Sequence, residues 1–305
     1  MKYLFIVNPI AGGVDRTEEI RAMAKDAFSG LNIPWELYVT TRPNDATEQI
    51  QLRSAQSGEK LRVLACGGDG TFNECCNGAA GLENIAVAPF PYGTGNDFCR
   101  MFGDEKELYR NLNAIIRGSE HKIDLIDVNG RKCACISSIG IDARVGTNVH
   151  KYSSFPLIGG KAAYVVSLLV ELGRGLYTNM KITAPGYSYD APSALCCVCN
   201  GRHYGGGFNP SPDAMPDDGI ADVYIVKKVN LPTIALNIGK YASGRADSVP
   251  QLIQHIKVSD LKIELDEESV INIDGESLYS RVAEFHVLPR CMNLIVPDGI
   301  TFFKE

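Results

Sequence analysis

Three short segments combine glycines with hydroxyl, amide or acidic side chains directly after an apolar run. They are NPIAGG (8–13), CGGDGTFNE (66–74) and PYGTGND (91–97). Glycine lets backbone N–H groups approach a ligand closely. Successive N–H groups of such loops, with helix N-termini behind them and hydroxyls from Thr71 and Thr94, form an anion site. The acidic Asp69 in the same pattern indicates a phosphate group with a metal ion beside it.

The strands and helices around these three segments determine whether the segments lie close together in the fold. Strands are predicted at 3–8, 34–40, 61–66 and 85–91, and helices at 15–30, 44–58, 72–81 and 104–118. Such alternation with short connections indicates a parallel sheet covered on both faces. Ligands of these sheets lie at the carboxyl ends of the strands, where all three segments would emerge. One glycine pair alone would more often be a turn, but three at one edge favour phosphate binding.

The pattern changes near residue 120. Short β-type runs separated by turn residues follow, from KIDLIDV (122–128) to MNLIVP (292–297). They indicate an antiparallel sandwich or barrel-like domain. Helical inserts are expected at about 160–173 and 231–244. Because no low-complexity linker separates the halves, we expect a close-packed junction with a cleft, where active sites are common.

Composition narrows the class of protein. The 305 residues suffice for one large or two ordinary domains, and their net charge of −6 disfavours nucleic acid as a partner. The first apolar run is too short for a signal peptide and predicts a strand. The run at 162–172 is too short to span a bilayer. The protein is therefore expected to be neither secreted nor membrane-spanning.

The ten cysteines point to a reducing compartment. Several lie in apolar, strand-like runs, which indicates reduced, buried thiols in a cytoplasmic protein. Cys133 and Cys135, and the group Cys196, Cys197 and Cys199, lack the spacing of zinc ligands in turns. The five histidines form no ligand pattern.

Common nucleotide motifs are absent. The sequence has no G-x-x-x-x-G-K-[ST], no G-x-G-x-x-G after its first strand and no protein-kinase motif set. A P-loop NTPase, an ordinary dinucleotide dehydrogenase and a protein kinase are therefore disfavoured.

GGDGTFNE resembles the hallmark GGDGT-x-x-E of the diacylglycerol kinase catalytic-domain family of lipid kinases, which includes bacterial diacylglycerol kinases and sphingosine kinases. NAD kinases and, more distantly, phosphofructokinases share that loop. NP-x-A-GG, GTGNDF, NGRHYGGG, P-x-A-x-P-DDG-x-x-D and IDGE also occur here in the family order. The resemblance covers about residues 3–303.

The resemblance implies two domains. An α/β domain with a parallel sheet, of the NAD-kinase and phosphofructokinase type, would occupy residues 1–120. An antiparallel β-sandwich domain would occupy residues 121–296 and complete the active-site cleft. A C-terminal strand at about 297–305 would return to the first domain.

The resemblance also implies a set of nucleotide contacts. ATP would lie against the three glycine loops and the end of the second strand. The residues carried over from the family are Asn8, Pro9, Ala11, Gly12, Gly13, Thr40, Gly67, Gly68, Asp69, Gly70, Thr71, Asn73, Glu74 and Thr94.

Five acids match the catalytic acids of the family. Asp69 would hold Mg²⁺ directly or through water, and Asp97 and Asp124 would extend that network. The turn IDGE would reach the loops of the first domain, with Glu276 as the favoured general base and Asp274 as metal-network partner or alternative base. From the residues alone, a helix cap explains Asp97 and a strand end explains Asp124. A hairpin turn explains DGE equally well.

The segment DAMPDDGIADVYIV (213–226) matches a structural Mg²⁺ site of bacterial members. Asp218 would supply a carboxylate, and Met215 and Ile220 would supply backbone carbonyls, which are hard oxygen ligands of the kind Mg²⁺ prefers. A plain Asp-Asp-Gly turn is the alternative.

These features lead to an ATP-dependent lipid kinase, with diacylglycerol or a related lipid as acceptor and Mg²⁺ as cofactor. Such an enzyme would be cytoplasmic and associate peripherally with the inner face of the membrane, where the basic residues Lys151, Lys161 and Arg174 flank an apolar stretch. A homodimer is compatible with the family. Two alternatives remain: a kinase of a soluble acceptor such as NAD, and a nucleotide-binding protein without catalysis.

Overall fold

The computed structural model describes residues 1–145 and 175–303. The chain divides into two compact units, Met1–Leu125 with Pro289–Glu305, and Ile126–Leu288. The helices are α1 (Thr17–Ala27), α2 (Asp45–Ser57), α3 (Asp69–Ala79), α4 (Asp97–Arg100), α5 (Leu112–Arg117) and α6 (Leu231–Ala242). The strands are β1 (Lys2–Val7), β2 (Trp35–Val39), β3 (Leu61–Gly67), β4 (Ile85–Pro91), β5 (Ser119–Val128), β6 (Arg131–Cys133), β7 (Ile136–Gly140), β8 (Thr178–Ala184), β9 (Tyr187–Cys199), β10 (Ala221–Lys227), β11 (Ile253–Val258), β12 (Asp260–Ile273) and β13 (Glu276–Val296).

The first unit contains the parallel sheet that the sequence predicts. Its order is β13–β4–β3–β1–β2, and every pair in this order is parallel. Nearly every residue of β1, β3 and β4 is buried. Val7 pairs with Cys66, and Gly67 pairs with Pro91, so these three neighbouring strands end at the same level. The loops that follow them therefore emerge side by side.

Three predicted boundaries in this unit were wrong. Helix α3 begins inside the glycine loop, at Asp69 rather than at residue 72. The helix expected at 104–118 is a 3-10 helix (Gly103–Arg110) followed by α5, because Asn111 caps α5 by accepting a hydrogen bond from the Ala114 N–H. Residues 297–303 form no strand, and the strand that pairs with β4 is the end of β13, since Pro297 lacks the N–H that would extend it.

In the second unit, the strand pairs with a described register are antiparallel, as the sequence predicts. Hydrogen bonds join its strands into one continuous network in the order β11–β10–β9–β7–β12–β13, with β8 also between β9 and β12. Alternate residues of β9 enter two different cores: Cys196 and Val198 one, Cys197 and Cys199 the other. A strand buried on both faces reads as a continuous apolar run, which explains ALCCVCN.

Several predicted short strands are longer than expected. LKIELD and SVINID belong to the single strand β12, and AEFHVLP and MNLIVP belong to β13. The helix expected at 231–244 is α6, which confirms that prediction. The helix expected at about 160–173, and Lys151, Lys161 and Arg174, lie outside the described residues.

All ten cysteines are free thiols, nine of them buried, as the sequence predicts. Burial raises the pKa of Cys66 and Cys196 well above the ordinary thiol value, which keeps them protonated. Among the described residues, no helix has the length and apolar character needed to cross a bilayer.

Candidate active site

The loops after β3 and β4 pack directly against each other. The carbonyl of Gly67 accepts hydrogen bonds from the N–H groups of Tyr92 (2.8 Å) and Gly93 (3.1 Å). A Cβ on Gly93 would lie 2.4 Å from the Cα of Gly68, which is backbone and cannot move aside cheaply. Glycine at position 93 is therefore required by the contact between the loops.

The loop after β1 joins the same cluster. The side-chain amide of Asn8 donates a hydrogen bond to Thr71 Oγ1 (3.2 Å), and its Oδ1 accepts one from the Ile10 N–H. Gly12 has φ of +64°, and a Cβ there would lie 2.5 Å from the carbonyl oxygen of Tyr92. The three predicted phosphate-binding loops thus form one contiguous structure within the first unit.

Asp69 connects two of these loops through its carboxylate. Its Oδ1 accepts a hydrogen bond from the Asp97 N–H (2.5 Å), and its Oδ2 accepts one from the Asn96 N–H (2.8 Å). A Cβ on Gly95 would lie 2.4 Å from Oδ2 of Asp69 and 3.6 Å from Oδ2 of Asp97, so the two carboxylates lie close together. Asp97 also pairs with Arg100 at 3.3 Å.

Only some of the predicted nucleotide contacts reach the surface. Exposed or partly exposed positions are Asn8, Pro9, Ala11, Gly12, Gly13, Thr40, Gly68, Asp69, Gly70, Glu74 and Thr94. Gly67 and Thr71 are buried beneath them. A Cβ on Gly67 would lie 2.2 Å from Thr71 Oγ1, so this pair packs the floor of the loop.

Glu74 and Asn73, in the hallmark motif, are engaged within the protein. The carboxylate of Glu74 accepts hydrogen bonds from the N–H groups of Asn44 (2.9 Å) and Ala46 (3.2 Å) at the start of α2. These are N–H groups that an α-helix leaves without partners, and a carboxylate there also suits the helix dipole. Asn73 is buried and accepts a hydrogen bond from Asn77. The acid of GGDGT-x-x-E therefore ties α3 to α2.

Asp124, one of the predicted catalytic acids, is fully buried in β5. Its Oδ1 accepts a hydrogen bond from the Arg290 N–H at 2.7 Å. Arg290 has φ of +51°, a conformation unusual for a non-glycine residue. Asp124 therefore holds β13 at the bend that precedes its pairing with β4.

In the second unit, Asp274 and Glu276 have different environments. Both oxygens of Asp274 are engaged by the β6–β7 link: Oδ2 accepts the Ala134 N–H (2.6 Å), and Oδ1 accepts the N–H groups of Cys135 (3.0 Å) and Ile136 (2.9 Å). Glu276 is exposed, and its carboxylate forms no hydrogen bond or ion pair with any described residue. Of the two acids, only Asp274 is held by backbone N–H groups of the described residues.

The loop acids suit Mg²⁺ brought by a nucleotide. In the described part of the chain, no three His, Cys, Asp or Glu side chains are grouped to hold a metal by themselves. Mg²⁺ commonly needs only one or two carboxylates besides phosphate oxygens and water. The neighbouring carboxylates of Asp69 and Asp97 provide that donor set.

The second predicted Mg²⁺ site lies on a turn. Ile220 donates its N–H to Asp218 Oδ1 at 3.1 Å, and Gly219 between them has φ of +78°. The sulfur of Met215 contacts the guanidinium of Arg202 at 3.2 Å. Asp218 remains exposed, so the structural Mg²⁺ site stays a prediction.

The second unit also contains an apolar cavity of about 400 Å³ that the sequence did not predict. Its wall includes Leu195 of β9, Val226 of β10, and Ile234 and Tyr241 of α6. Asp142 is the single acid among the described residues of this wall. Its Oδ2 accepts a hydrogen bond from the Tyr204 hydroxyl at 3.2 Å, and burial raises its pKa to about 6. The only sequence signal was an acid inside the apolar run IGIDA.

Comparison with known proteins identifies the family. Residues 2–128 match the diacylglycerol kinase catalytic domain, and residues 135–296 match the YegS C-terminal NAD kinase beta sandwich-like domain. A protein of Pseudomonas aeruginosa named "Probable lipid kinase YegS-like" is 29% identical over 94% of this chain and 93% of its own length. The "Diacylglycerol kinase" of Bacillus subtilis is 28% identical over 96% and 95%.

Solved structures agree with these matches. A crystal structure of a diacylglycerol kinase from Bacillus anthracis superposes with a TM-score of 0.72 at 26% identity, covering 98% of both chains. The second domain is thus of the β-sandwich-like type that the sequence predicted. With both domains matched along nearly the whole chain, this protein belongs to the diacylglycerol kinase catalytic-domain family of lipid kinases.

Proposed function

We propose that this protein transfers the γ-phosphoryl group of ATP to the hydroxyl of a lipid, with diacylglycerol as the preferred class of acceptor. The observation that carries the proposal is the single cluster formed by the three glycine loops, held together by the Asp69 carboxylate. Phosphoryl transfer depends on positioning and on stabilising charge, and a preorganised set of backbone donors serves both.

The nucleotide side of the reaction uses the exposed backbone of the loops. Gly12, Gly13, Gly68 and Gly70 present backbone to solvent, and the Thr94 hydroxyl is exposed beside them. Asn8 and Thr71 fix the first loop against the second. Together these groups would hold the ATP phosphates by hydrogen bonds from N–H and O–H donors.

Asp69 and Asp97 would hold the Mg²⁺ that accompanies ATP. The ion supplies charge neutralisation of the phosphate oxygens during transfer. Asp69 keeps both its oxygens hydrogen-bonded to Asn96 and Asp97 N–H groups, which fixes the direction of its remaining lone pairs. Asp124 would act indirectly, because its carboxylate holds the bend of β13 at Arg290.

Glu276 is our proposed general base. In the transfer, the lipid hydroxyl oxygen forms a bond to the γ-phosphorus, the bond from that phosphorus to the bridging oxygen of ADP breaks, and the hydroxyl proton passes to the Glu276 carboxylate. An exposed carboxylate without internal partners can accept that proton. Asp274 is a positioning residue, because its hydrogen bonds to Ala134, Cys135 and Ile136 fix the turn on which Glu276 stands.

The apolar cavity of the second unit supports a lipid acceptor over a soluble one. Its walls are aliphatic and aromatic apart from a few groups such as Asp142 and Tyr204, which could hydrogen-bond a polar part of the lipid. The GGDGT loop alone would also allow a soluble acceptor such as NAD. A polar acceptor of that kind would gain little from contact with an apolar wall. An enzyme taking lipid from a bilayer would work peripherally at the cytoplasmic face of the membrane.

The test is an acceptor panel. Purified protein is supplied with Mg²⁺ and ATP labelled in the γ position, and with dispersed diacylglycerol, ceramide, sphingosine or monoacylglycerol, or with NAD. We expect label in a lipid product that depends on Mg²⁺. Label in NAD alone would contradict the proposal, and nucleotide binding without transfer to any acceptor would favour a non-catalytic protein.

A further inference from the structure

Helix α6 differs from an ordinary surface helix. Its twelve residues, LPTIALNIGKYA, include a single charged residue, Lys240. A helix at the surface of a soluble domain normally has one apolar face toward the core and one charged face toward water. Here the charged face is nearly missing.

One side of α6 forms part of the wall of the apolar cavity. Thr233, Ile234, Asn237 and Tyr241 line the cavity, and Ile238 lies at its margin, 48% exposed. These positions recur at three- and four-residue intervals, so they share one face of the helix.

The opposite side of α6 faces solvent without charge. Leu236 is 80% exposed, the most exposed large apolar side chain described in this unit. Pro232 and Gly239 are also exposed. Positions 232, 236 and 239 are separated by four and three residues, so they lie on the same face of the helix. Water is a poor environment for such a surface, so a partner is expected to cover it.

The charge around α6 indicates the sign of that partner. Between Asp222 and Asp247 the chain has four cations, Lys227, Lys228, Lys240 and Arg245, and no acid, although the whole protein has a net charge of −6. None of the four forms an ion pair with a described residue. Lys228 lies over the Tyr177 ring at 5.4 Å. Asp247, which contacts His255, follows the C-terminal end of the helix by five residues, and Pro212, the neighbour of Asp213, packs against Gly244.

We propose that the outer face of α6, with Lys227, Lys228, Lys240 and Arg245, docks this protein on a bilayer of anionic lipid. A helix with an exposed apolar face and cations near its two ends can lie in the interface of such a bilayer, with its apolar side chains among the acyl chains and the cations near the phosphates. The same helix forms a wall of the apolar cavity, so docking brings the cavity to the lipid. The inference rests on the proposed lipid kinase function.

A second copy of this chain is a poorer partner for the same face. In a two-fold dimer the face would meet itself, which would bring the four cations of each copy close to those of the other. Like charges facing each other oppose association. An anionic bilayer both accepts Leu236 and neutralises the cations.

The test measures vesicle binding without ATP or acceptor lipid. Sedimentation with vesicles of phosphatidylcholine containing about a third phosphatidylglycerol is compared with pure phosphatidylcholine. The wild type should bind the anionic vesicles more tightly than pure phosphatidylcholine vesicles. High salt should weaken its binding to the anionic vesicles. Leu236→Gln should weaken that binding about tenfold. Lys227→Gln/Lys228→Gln/Lys240→Gln should weaken it by at least about tenfold.

Matched controls separate docking from general effects. Leu52→Gln changes another exposed helical leucine, on α2, and Lys25→Gln/Lys106→Gln/Lys122→Gln removes three cations from the first unit. Both should bind vesicles like the wild type. Equal binding by Leu236→Gln and the wild type, or equal losses in the controls, would overturn the proposal. So would a dimer in solution that Leu236→Gln dissociates.

Activity on a short-chain, water-dispersed diacylglycerol separates this inference from the proposed function. Leu236→Gln should phosphorylate the dispersed lipid like the wild type but lose activity on diacylglycerol in anionic vesicles. One result would separate the two proposals. If neither the wild type nor any variant phosphorylates a lipid, but Leu236→Gln still weakens vesicle binding, the docking surface is supported and the proposed kinase function is wrong.

Discussion

The carboxylate of Asp69 accepts a hydrogen bond from the backbone N–H of Asp97 at 2.5 Å. This bond joins the loop after β3 to the loop after β4 at the start of α4. A second bond, from the Asn96 N–H at 2.8 Å, secures the other oxygen. The acid of the hallmark motif therefore shapes the site as well as supplying charge to it.

Gly95→Ala tests that relationship without removing any acid. A Cβ at position 95 would lie 2.4 Å from Oδ2 of Asp69, so the carboxylate must move and lose its bond to Asn96. We expect the kinase rate to fall roughly a hundredfold, since a shift of about 1 Å in a positioning group costs that much. Gly239→Ala, where a Cβ would meet nothing within 4 Å, is the control and should fold at least as stably as the wild type. Wild-type kinetics in Gly95→Ala would refute the positioning role of Asp69.

Glu276→Gln and Asp274→Asn should fail in different ways. Glu276 is exposed without internal partners, so its change should leave the thermal midpoint nearly unaltered while kcat falls about 10²- to 10⁴-fold. Asp274→Asn replaces one acceptor with an amide donor among three backbone N–H groups, so it should cost on the order of 2 kcal/mol of stability. Thermal melting and initial rates on both variants decide the matter. A stable Asp274→Asn protein with lost turnover, beside an active Glu276→Gln, would reverse the assignment of the base.

Asp124 has a structural contact that two substitutions can separate from a catalytic role. Asp124→Ala removes the charged acceptor of the Arg290 N–H, so unfolding should become easier by about 1.5–3 kcal/mol, the range for a hydrogen bond to a charged group. Asp124→Asn keeps an oxygen acceptor and should recover much of that stability. If the negative charge also serves the Mg²⁺ network, the Asn variant should fold yet lose at least about tenfold in rate. Full activity in Asp124→Asn would limit Asp124 to holding the bend of β13.

Asp142 should make the stability of the protein depend on pH. Burial beside the apolar cavity raises its pKa from 3.8 to about 6, against the hydrogen bonds from Ser138, Ala143 and Tyr204 that lower it. The folded state therefore binds this proton more tightly than the unfolded chain does. The stabilisation is fully present below about pH 4 and is lost as the pH rises through about 6, with a magnitude on the order of 2 kcal/mol.

Thermal midpoints of the wild type and Asp142→Asn between about pH 4 and 7 measure that contribution. The wild type should lose stability relative to the variant as the pH rises across this window. Asp26→Asn, an exposed acid on α1, should follow the wild type. Parallel curves for Asp142→Asn and the wild type would show that Asp142 titrates normally.

The first unit was largely predictable because its signals are local. Strand β1 and helix α2 have the periodicity and flanking residues that such elements need, and the glycine loops follow directly from the ends of β1, β3 and β4. The bend at Arg290 was not predictable. Pro289 and Arg290 look like a strand break, but β13 continues because Asp124, far away in the chain, holds the left-handed residue.

The roles of the individual acids could not be predicted from the sequence either. Asp274 and Glu276 are two residues apart, yet only Asp274 meets the N–H groups of residues about 140 positions earlier. Glu74 belongs to the nucleotide motif by pattern but caps α2. Such assignments depend on backbone partners that a linear pattern does not contain.

We propose that the cluster of glycine loops held by Asp69 positions ATP for transfer of its γ-phosphoryl group to a lipid hydroxyl. The most direct measurement is the initial rate at which γ-labelled ATP places label on dispersed diacylglycerol with Mg²⁺, for the wild type, Asp69→Ala and the control Asp26→Asn. We expect labelled lipid from the wild type and Asp26→Asn, and a rate lower by at least about a hundredfold in Asp69→Ala. Equal labelling by Asp69→Ala and the wild type would contradict the proposal.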